Sequence, residues 1–545
     1  MASKKYDDLS KEELIRLLES RDRRDATRFG LVWEANEIER DKALNQDFVA
    51  LDLDRDLSCG QQGPWKNLII EGDNFDALRY LRMTFAGRVK CIYIDPPYNT
   101  GNKDFVYNDH FVDKEDLWRH SKWCEFMYQR LTLAKDLLAQ DGLIFVSIDD
   151  NEMPSLCFLM RSVFSESNFV GNFIWKRRTA ADSRNLNGVS GDHEYVISYS
   201  ASASGRLRGQ SKDLTKYANP DGDPLGPWMS DNLTGLANAT ERPNLHYDII
   251  HPKDGTRFPP HPSRGWIYGQ ERMNTLINSA RILWPAKPTG RPRLKRYQTD
   301  MQSAYMGFST VLDAPGNVEA TKELARVLGP KVFTFPKPVE LVGQLVAQGA
   351  GPDDLVVDFF AGSGTTAHAV HKLNKEDGGN RRVILVSSTE ATADEPEKNL
   401  CRDVCATRVR RVIEGYPSTS SGQAATPGLG GDFAYLRCRR IAHGKLTEID
   451  HPQVWTALQL THGPTLTAFD DKPILHTDYD DQRLIYVPHF RARDGRTLVK
   501  TVRQSAVCIV YTWQPDLVKQ RLRTEQNVQV EAVPESLARR FGVRI

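Results

Sequence analysis

In Ile92-Tyr-Ile-Asp-Pro-Pro-Tyr-Asn-Thr-Gly101 an apolar run ends on an acid, two prolines and a tyrosine. One reading is a plain strand stop, since each proline lacks an N–H and restricts the residue before it. The other is chemical: alkylation of an amino group on an aromatic base. That nitrogen is a poor nucleophile because its lone pair is delocalised into the ring. A carboxylate (Asp95) and a rigid carbonyl (Pro96, held by Pro97) that accept its two hydrogens would draw it toward tetrahedral geometry. Tyr98 would offer a face on which an extruded base can stack.

Such chemistry needs a methyl donor, and a second constellation suits one. Asp358-Phe-Phe-Ala-Gly-Ser-Gly-Thr-Thr-Ala367 is a predicted strand leading into a glycine loop that opens a helix. Gly362 and Gly364 permit a tight turn and close approach of a ligand, and the helix start at Thr365 presents free N–H groups to an anion. The same spacing, Gly362-x-Gly364-x-x-Ala367, also fits a relaxed dinucleotide fingerprint. S-adenosyl-L-methionine is favoured over a nicotinamide, because the following strand lacks an acid at its tip and a dehydrogenase has no use for Asp95-Pro-Pro-Tyr98. A helix N-terminus binds a carboxylate as readily as a phosphate.

The elements around these motifs alternate. Strands are predicted at 67–73, 89–94, 142–148, 169–175, 194–200, 355–360 and 382–387, with helices between several of them, which argues for an α/β fold on a largely parallel sheet. Residues 7–47, with Leu14, Ile15, Leu17 and Leu18 at helical spacing, predict an N-terminal helical arm, assigned to 1–60. The expected order is then a catalytic half (61–200), an insertion (201–330), a cofactor-binding half (331–417), a Ser/Gly/Pro-rich linker (418–435) and a separate C-terminal accessory domain (436–545).

The 545 residues exceed one core, and 40% hydrophobic with 26% charged composition is that of an ordinary water-soluble protein. A net charge of +1 excludes a global electrostatic field for nucleic acid, so binding must come from local patches. Two are present: Lys176-Arg177-Arg178, and residues 281–296, which contain Arg291, Arg293, Lys295 and Arg296 and no acid. Nearby aromatics (Trp266, Tyr268, Trp284, Tyr297) favour a nucleic-acid groove over a solvated loop. The eight cysteines form no Cys-x-x-Cys pair and the thirteen histidines no His-Glu-x-x-His, so no structural metal is expected. Without an apolar leader or an 18-residue apolar stretch, a cytoplasmic protein with no membrane association is expected.

Taken together, the motifs resemble the amino-group DNA methyltransferases of the permuted beta class, over about Trp65 to Arg440. In that family Asp95, Pro96, Pro97 and Tyr98 form the catalytic motif, and Phe360, Gly362 and Gly364, preceded by Asp358, the cofactor motif. The resemblance also implicates Gly72-Asp73 and Phe335-Pro-Lys337-Pro-Val-Glu-Leu341 in holding S-adenosyl-L-methionine. For the ribose, Ser387, Ser388 and Glu390 compete. It implies a Rossmann-like methyltransferase sheet with permuted motif order and a target-recognition domain in the insertion. Gly30-Leu-Val-Trp-Glu34 and Asp95-Pro-Pro-Tyr-Asn-Thr-Gly-Asn102 look most like modification subunits of type III restriction-modification systems. The expected activity is site-specific methylation of the N6 amino group of a flipped-out adenine in double-stranded DNA. A helicase-nuclease or other defence subunit is the expected partner, and dimers are common in the family. The alternatives are a cytosine-N4 enzyme, a partner-dependent specificity subunit, and a protein glutamine methyltransferase, whose related motif usually begins with Asn.

Overall fold

The computed structural model describes Lys11 and residues 47–60, 63–101, 106–107, 110–111, 118–181, 188–261, 263–287, 289–391, 395–417, 424–442, 449–479 and 482–534. The predicted helix before residue 47 therefore lies outside the described residues, Lys11 excepted.

The largest element is a ten-stranded sheet. Its strands, in chain order, are β1 (Asp47–Cys59), β2 (Leu68–Glu71), β3 (Val89–Ile94), β4 (Leu138–Ile148), β5 (Phe169–Lys176), β6 (His193–Ser200), β7 (Val311–Leu312), β8 (Leu355–Asp358), β9 (Arg382–Ser387) and β10 (Phe433–Ala442). They lie in the order β1-β10-β2-β9-β8-β3-β4-β6-β5-β7. The six strands from β10 to β4 run parallel; β1 and β6 are antiparallel to their neighbours. Every residue of β8 and nearly all of β3 and β9 are buried, as a parallel sheet covered on both faces requires. The flanking helices used below are α1 (Asn74–Phe85), α2 (Arg119–Leu137), α3 (Met153–Phe164), α4 (Val339–Gly349), α5 (Thr365–Asp377) and α6 (Thr407–Glu414).

Several boundaries differ from expectation. Residues 47–59 are a strand, not part of a helical arm: Val49, Leu51 and Leu53 alternate with Ala50, Asp52 and Asp54, the period of a strand, and pair with β10. That partner strand begins at Phe433, inside the expected linker. Nor is the C-terminal region a separate domain. Helix His451–His462 contributes Val454, Trp455 and Leu458 to the main core, and Trp65 and Leu466 exchange backbone hydrogen bonds. The four-stranded sheet that follows, over Leu475–Tyr479, Gln482–Val487, Val507–Thr512 and Val528–Ala532, is apolar on both faces. Leu484 and Tyr486 face the main core, while Ile485 and Val487 join a second cluster with Leu498 and Val510. The sheet's inner strand is thus shared between the main core and the second cluster.

The chain divides into two compact units, Arg208–Phe308 and the remainder, so the insertion is narrower than 201–330. The smaller unit has a three-stranded sheet (Ile282–Leu283, Arg293–Tyr297 and Trp228–Asp231) and helix Gln270–Asn278 over a core with Trp266, Met273 and Leu276. Among the described residues no helix is long and apolar enough to cross a membrane.

Candidate active site

Strands β3 and β8 are parallel neighbours, with Val357 beside Ile92, so Asp95 and the glycine loop leave the sheet from the same edge. The tips of β2 and β9 join them there, where the Gly72 N–H donates to the Ser387 carbonyl at 3.0 Å. In open α/β sheets this edge is the ligand crevice.

The loop after β3 is fixed at two points. Trp123 Nε1 of α2 donates to the Pro97 carbonyl at 2.7 Å. Asn99, left-handed at φ 56°, donates through Nδ2 to Glu152 Oε1 at 2.5 Å and to the Arg119 carbonyl at 3.2 Å. Glu152 is fully buried, and its Oε1 also meets His120 Nδ1 at 2.6 Å.

Around Asp95 lies a network of four charges. Lys337, just before α4, places Nζ 2.8 Å from both Asp95 oxygens, 3.3 Å from Glu194 Oε2 and 4.9 Å from the centre of the Tyr98 ring. The Tyr98 hydroxyl bonds to Asp95 Oδ1 at 2.9 Å and Glu194 Oε2 at 3.0 Å. Arg177 Nη1 closes the set on Glu194 Oε1 at 3.0 Å. Burial alone would lower the lysine pKa, but the Asp95 and Glu194 carboxylates hold it above its usual value. For Glu194 burial pushes up, and Lys337 and Arg177 outweigh it, holding the acid below its usual range. Burial, with the two carboxylates beside it, raises the Tyr98 hydroxyl, so Tyr98 stays neutral.

The second loop is built around Asp358, which accepts from the Phe360 N–H at 2.9 Å and from the Thr366 hydroxyl. Burial pushes its carboxyl up to about 7 against both bonds. Gly364 is left-handed at φ 78°, and a Cβ there would lie 3.1 Å from Cys405 Sγ and 3.2 Å from Val409 Cγ2 of α6. Arg408, fully buried, ties the loop through Ser363 Oγ at 3.0 Å and Thr365 Oγ1 at 2.7 Å. Across the crevice Asp73 caps α1 through the Phe75 and Asp76 N–H groups. Asn74 Nδ2 reaches the Phe359 carbonyl at 2.9 Å and so fastens the two loops together. Arg130 supports this corner from Asn74 Oδ1 (2.5 Å) and Asp73 Oδ2 (3.3 Å), stacked on Phe126, whose ring meets Phe360. The Gly72–Asp73 turn, the glycine loop and the start of α5 thus offer a small-residue cradle, an N–H-rich helix end and an aromatic wall. That donor set fits an adenosyl group carrying an amino-acid tail.

Several expected site residues stand elsewhere. Lys337, assigned to the cofactor, is bound to Asp95. Asp358 is 3% exposed and spent on holding its own loop. Ser387 donates to the Gly362 carbonyl at 3.3 Å; Glu390, at φ 53°, is exposed and paired with Lys398 at 3.1 Å. Phe335 is 76% exposed at φ 55°. Of the basic residues, Arg177 serves Glu194, and Lys295 is buried against Asp221 (2.5 Å) and Asp223 (2.8 Å). Arg296 pairs with Asp231 at 2.7 Å and Arg293 Nε meets Ser230 Oγ at 2.6 Å, whereas Lys176 and Arg291 are exposed. Sequence reasoning missed Glu194, Glu152, Arg130 and Arg408. An acid inside an apolar run, Glu194 before Tyr-Val-Ile-Ser-Tyr, was a signal for the first.

The sheet and the two loops at its edge define a Rossmann-like α/β enzyme. The sequence profile of the DNA methylase family matches residues 89–386, from the start of β3 to the end of β9. The chain belongs to this N6/N4 DNA methylase family. It is 33% identical to the type III restriction-modification enzyme StyLTI Mod subunit of Salmonella typhimurium, over 74% of this chain and 65% of that one. With the EcoP15I Mod subunit of Escherichia coli it shares 30% identity over 63% and 62%. With the type II methyltransferase M.KpnI of Klebsiella pneumoniae it shares 31% over 70% of this chain and 96% of that one. The chain thus spans somewhat under two thirds of the length of the two Mod subunits.

Proposed function

We propose that this protein is a site-specific DNA methyltransferase acting on the N6 amino group of adenine, as a modification subunit of a type III restriction-modification system. The observation that carries this reading is the placement of Asp95-Pro-Pro-Tyr98 and the glycine loop at the ends of neighbouring parallel strands, with the Tyr98 hydroxyl on the Asp95 carboxylate.

S-adenosyl-L-methionine, when bound, supplies an electrophilic methyl group on a sulfonium centre. Asp73, Phe360, Gly362, Gly364 and the N-terminal backbone of α5 at Thr365 are the residues that would hold it, with Ser388 or Glu390 toward the ribose; Phe335 lies at the rim. Tyr98 stacks the extruded adenine. Asp95 and the Pro96 carbonyl accept its amino hydrogens and turn the nitrogen lone pair outward. Positioning supplies most of the rate, and extrusion costs a few kcal/mol, offset by pocket and phosphate contacts. The Arg208–Phe308 unit is the target-recognition element, with Arg291 among its phosphate contacts; Lys176 and Arg178 serve the same purpose on the larger unit. Double-stranded DNA, a helicase-nuclease subunit and a second copy of the chain are the proposed partners, and the cytoplasm the location.

The test is incubation of the purified chain with S-adenosyl-L-methionine and genomic DNA, followed by nucleoside mass spectrometry and single-molecule mapping of modified positions. N6-methyladenine at one short motif is expected. N4-methylcytosine would move the target to cytosine, and no modified base despite cofactor binding would overturn autonomous activity.

A further inference from the structure

Lys337 stands where the substrate is expected. Its ammonium takes both oxygens of Asp95 at 2.8 Å and lies 4.9 Å over the Tyr98 ring, the two features that a stacked base with an amino group would use. Its backbone is held between Pro336 and Pro338, so only its flexible four-carbon stem is free to move. A second acceptor is already within reach: Glu194 Oε2 at 3.3 Å, on a carboxylate that Arg177 and Tyr98 hold in place.

We propose that Lys337 is a gating residue, which occupies the place of the target amino group in the free enzyme and passes from Asp95 to Glu194 when the base arrives. This rests on the reading of Asp95 and Tyr98 given above. The move leaves Lys337 and Arg177 together on Glu194, and the Asp95 carboxylate then has the amino N–H donors of the base in place of the ammonium. It also keeps Asp95 in its working orientation between turnovers. The exchange has a direction. An unmethylated amino group offers two N–H donors, and a methylated one offers a single donor beside a bulky methyl. The returning ammonium therefore competes better against product than against substrate, and Lys337 assists release of the methylated base.

Two substitutions act on opposite sides of this exchange. Lys337→Met removes the competitor, and Glu194→Gln weakens the place to which it withdraws. Initial rates of methyl transfer to genomic DNA, a single-turnover time course and calorimetric titration with S-adenosyl-L-methionine are measured on the full chain and on both variants. The expected result for Lys337→Met is a lower KM for DNA, a lower kcat and a burst of methylation followed by slow turnover, with cofactor affinity retained. For Glu194→Gln the KM for DNA rises, again with cofactor affinity retained, and Lys337→Arg restores part of the kcat lost in Lys337→Met. A purely structural role would move both KM values the same way, and that result overturns the gate alone. A loss of cofactor affinity in Lys337→Met at unchanged KM for DNA returns the lysine to the cofactor and also overturns it. A wild-type chain that methylates no base overturns the functional reading and the gate together.

Discussion

Replacing Asp95 by alanine tests whether its carboxylate acts in the reaction and not in holding the cofactor. The change leaves the Lys337 side chain, 9% exposed, with Glu194 as its remaining acidic partner at 3.3 Å. Breaking one side of a fully buried ion pair costs ~3–5 kcal/mol. The Asp95 side chain is 26% exposed and Glu194 stays in reach, so about 2–3 kcal/mol is expected. Spread over the unfolding entropy of several hundred residues, that lowers Tm by roughly 2–3 °C. Adding Lys337→Met removes the stranded charge and should recover about 1–2 kcal/mol, a coupling that a double-mutant cycle reads directly. The assays are denaturant unfolding, methyl transfer to genomic DNA and cofactor titration by calorimetry. Transfer at background with cofactor affinity intact is expected for Asp95→Ala. Loss of cofactor binding, or strictly additive effects of the two substitutions, would refute the reasoning.

Four further outcomes follow from particular residues. Asp358, pushed up to about 7 in the folded chain, has an unfolded value near 3.9. Its contribution to stability is fully present below about pH 4 and is lost as pH rises through about 7. Asp358→Asn should flatten the unfolding midpoint across that window, and an unchanged profile counts against a neutral Asp358. Gly364→Ala forces a Cβ against Cys405 and Val409 at a left-handed position and should cost about 1–3 kcal/mol, with weaker cofactor binding by calorimetry. Arg291→Ala should reduce the salt dependence of DNA binding by about one phosphate contact. Lys295→Met, which strips Asp221 and Asp223 of their shared cation, should instead lower the melting point and leave that slope nearly unchanged.

What the sequence made legible was local. Asp95-Pro-Pro-Tyr98 and the loop around Gly362 and Gly364 carry their chemistry within ten residues, and the strands leading to them are unbroken apolar runs. Contacts set by the fold were not legible. Lys337 reads as part of a proline-rich turn, and only the juxtaposition of α4 with the end of β3 puts its ammonium on Asp95. The basic run at 281–296 contains no acid, yet Asp221, Asp223, Asp231 and Asp300 come from other segments to pair with three of its cations, Arg281, Lys295 and Arg296. Strand β1 was passed over for a different reason: its Asp and Arg residues resemble those of the segment before it, whose spacing predicts a helix, and the change of period was the signal.

The position of β10 bears on how this chain could be divided. It lies between β1 and β2, so polypeptide from near the C-terminal end is woven into the sheet beside polypeptide from near the N-terminal end. A chain break between α6 and β10 would therefore not liberate a tail. The two fragments would stay clasped through two ladders of main-chain hydrogen bonds and part only on denaturation. The same weave limits recombination: a graft of a foreign C-terminal region must keep at least everything through Ala442, because an earlier junction would pull out the strand between β1 and β2, and it must also replace the core contacts of helix His451–His462.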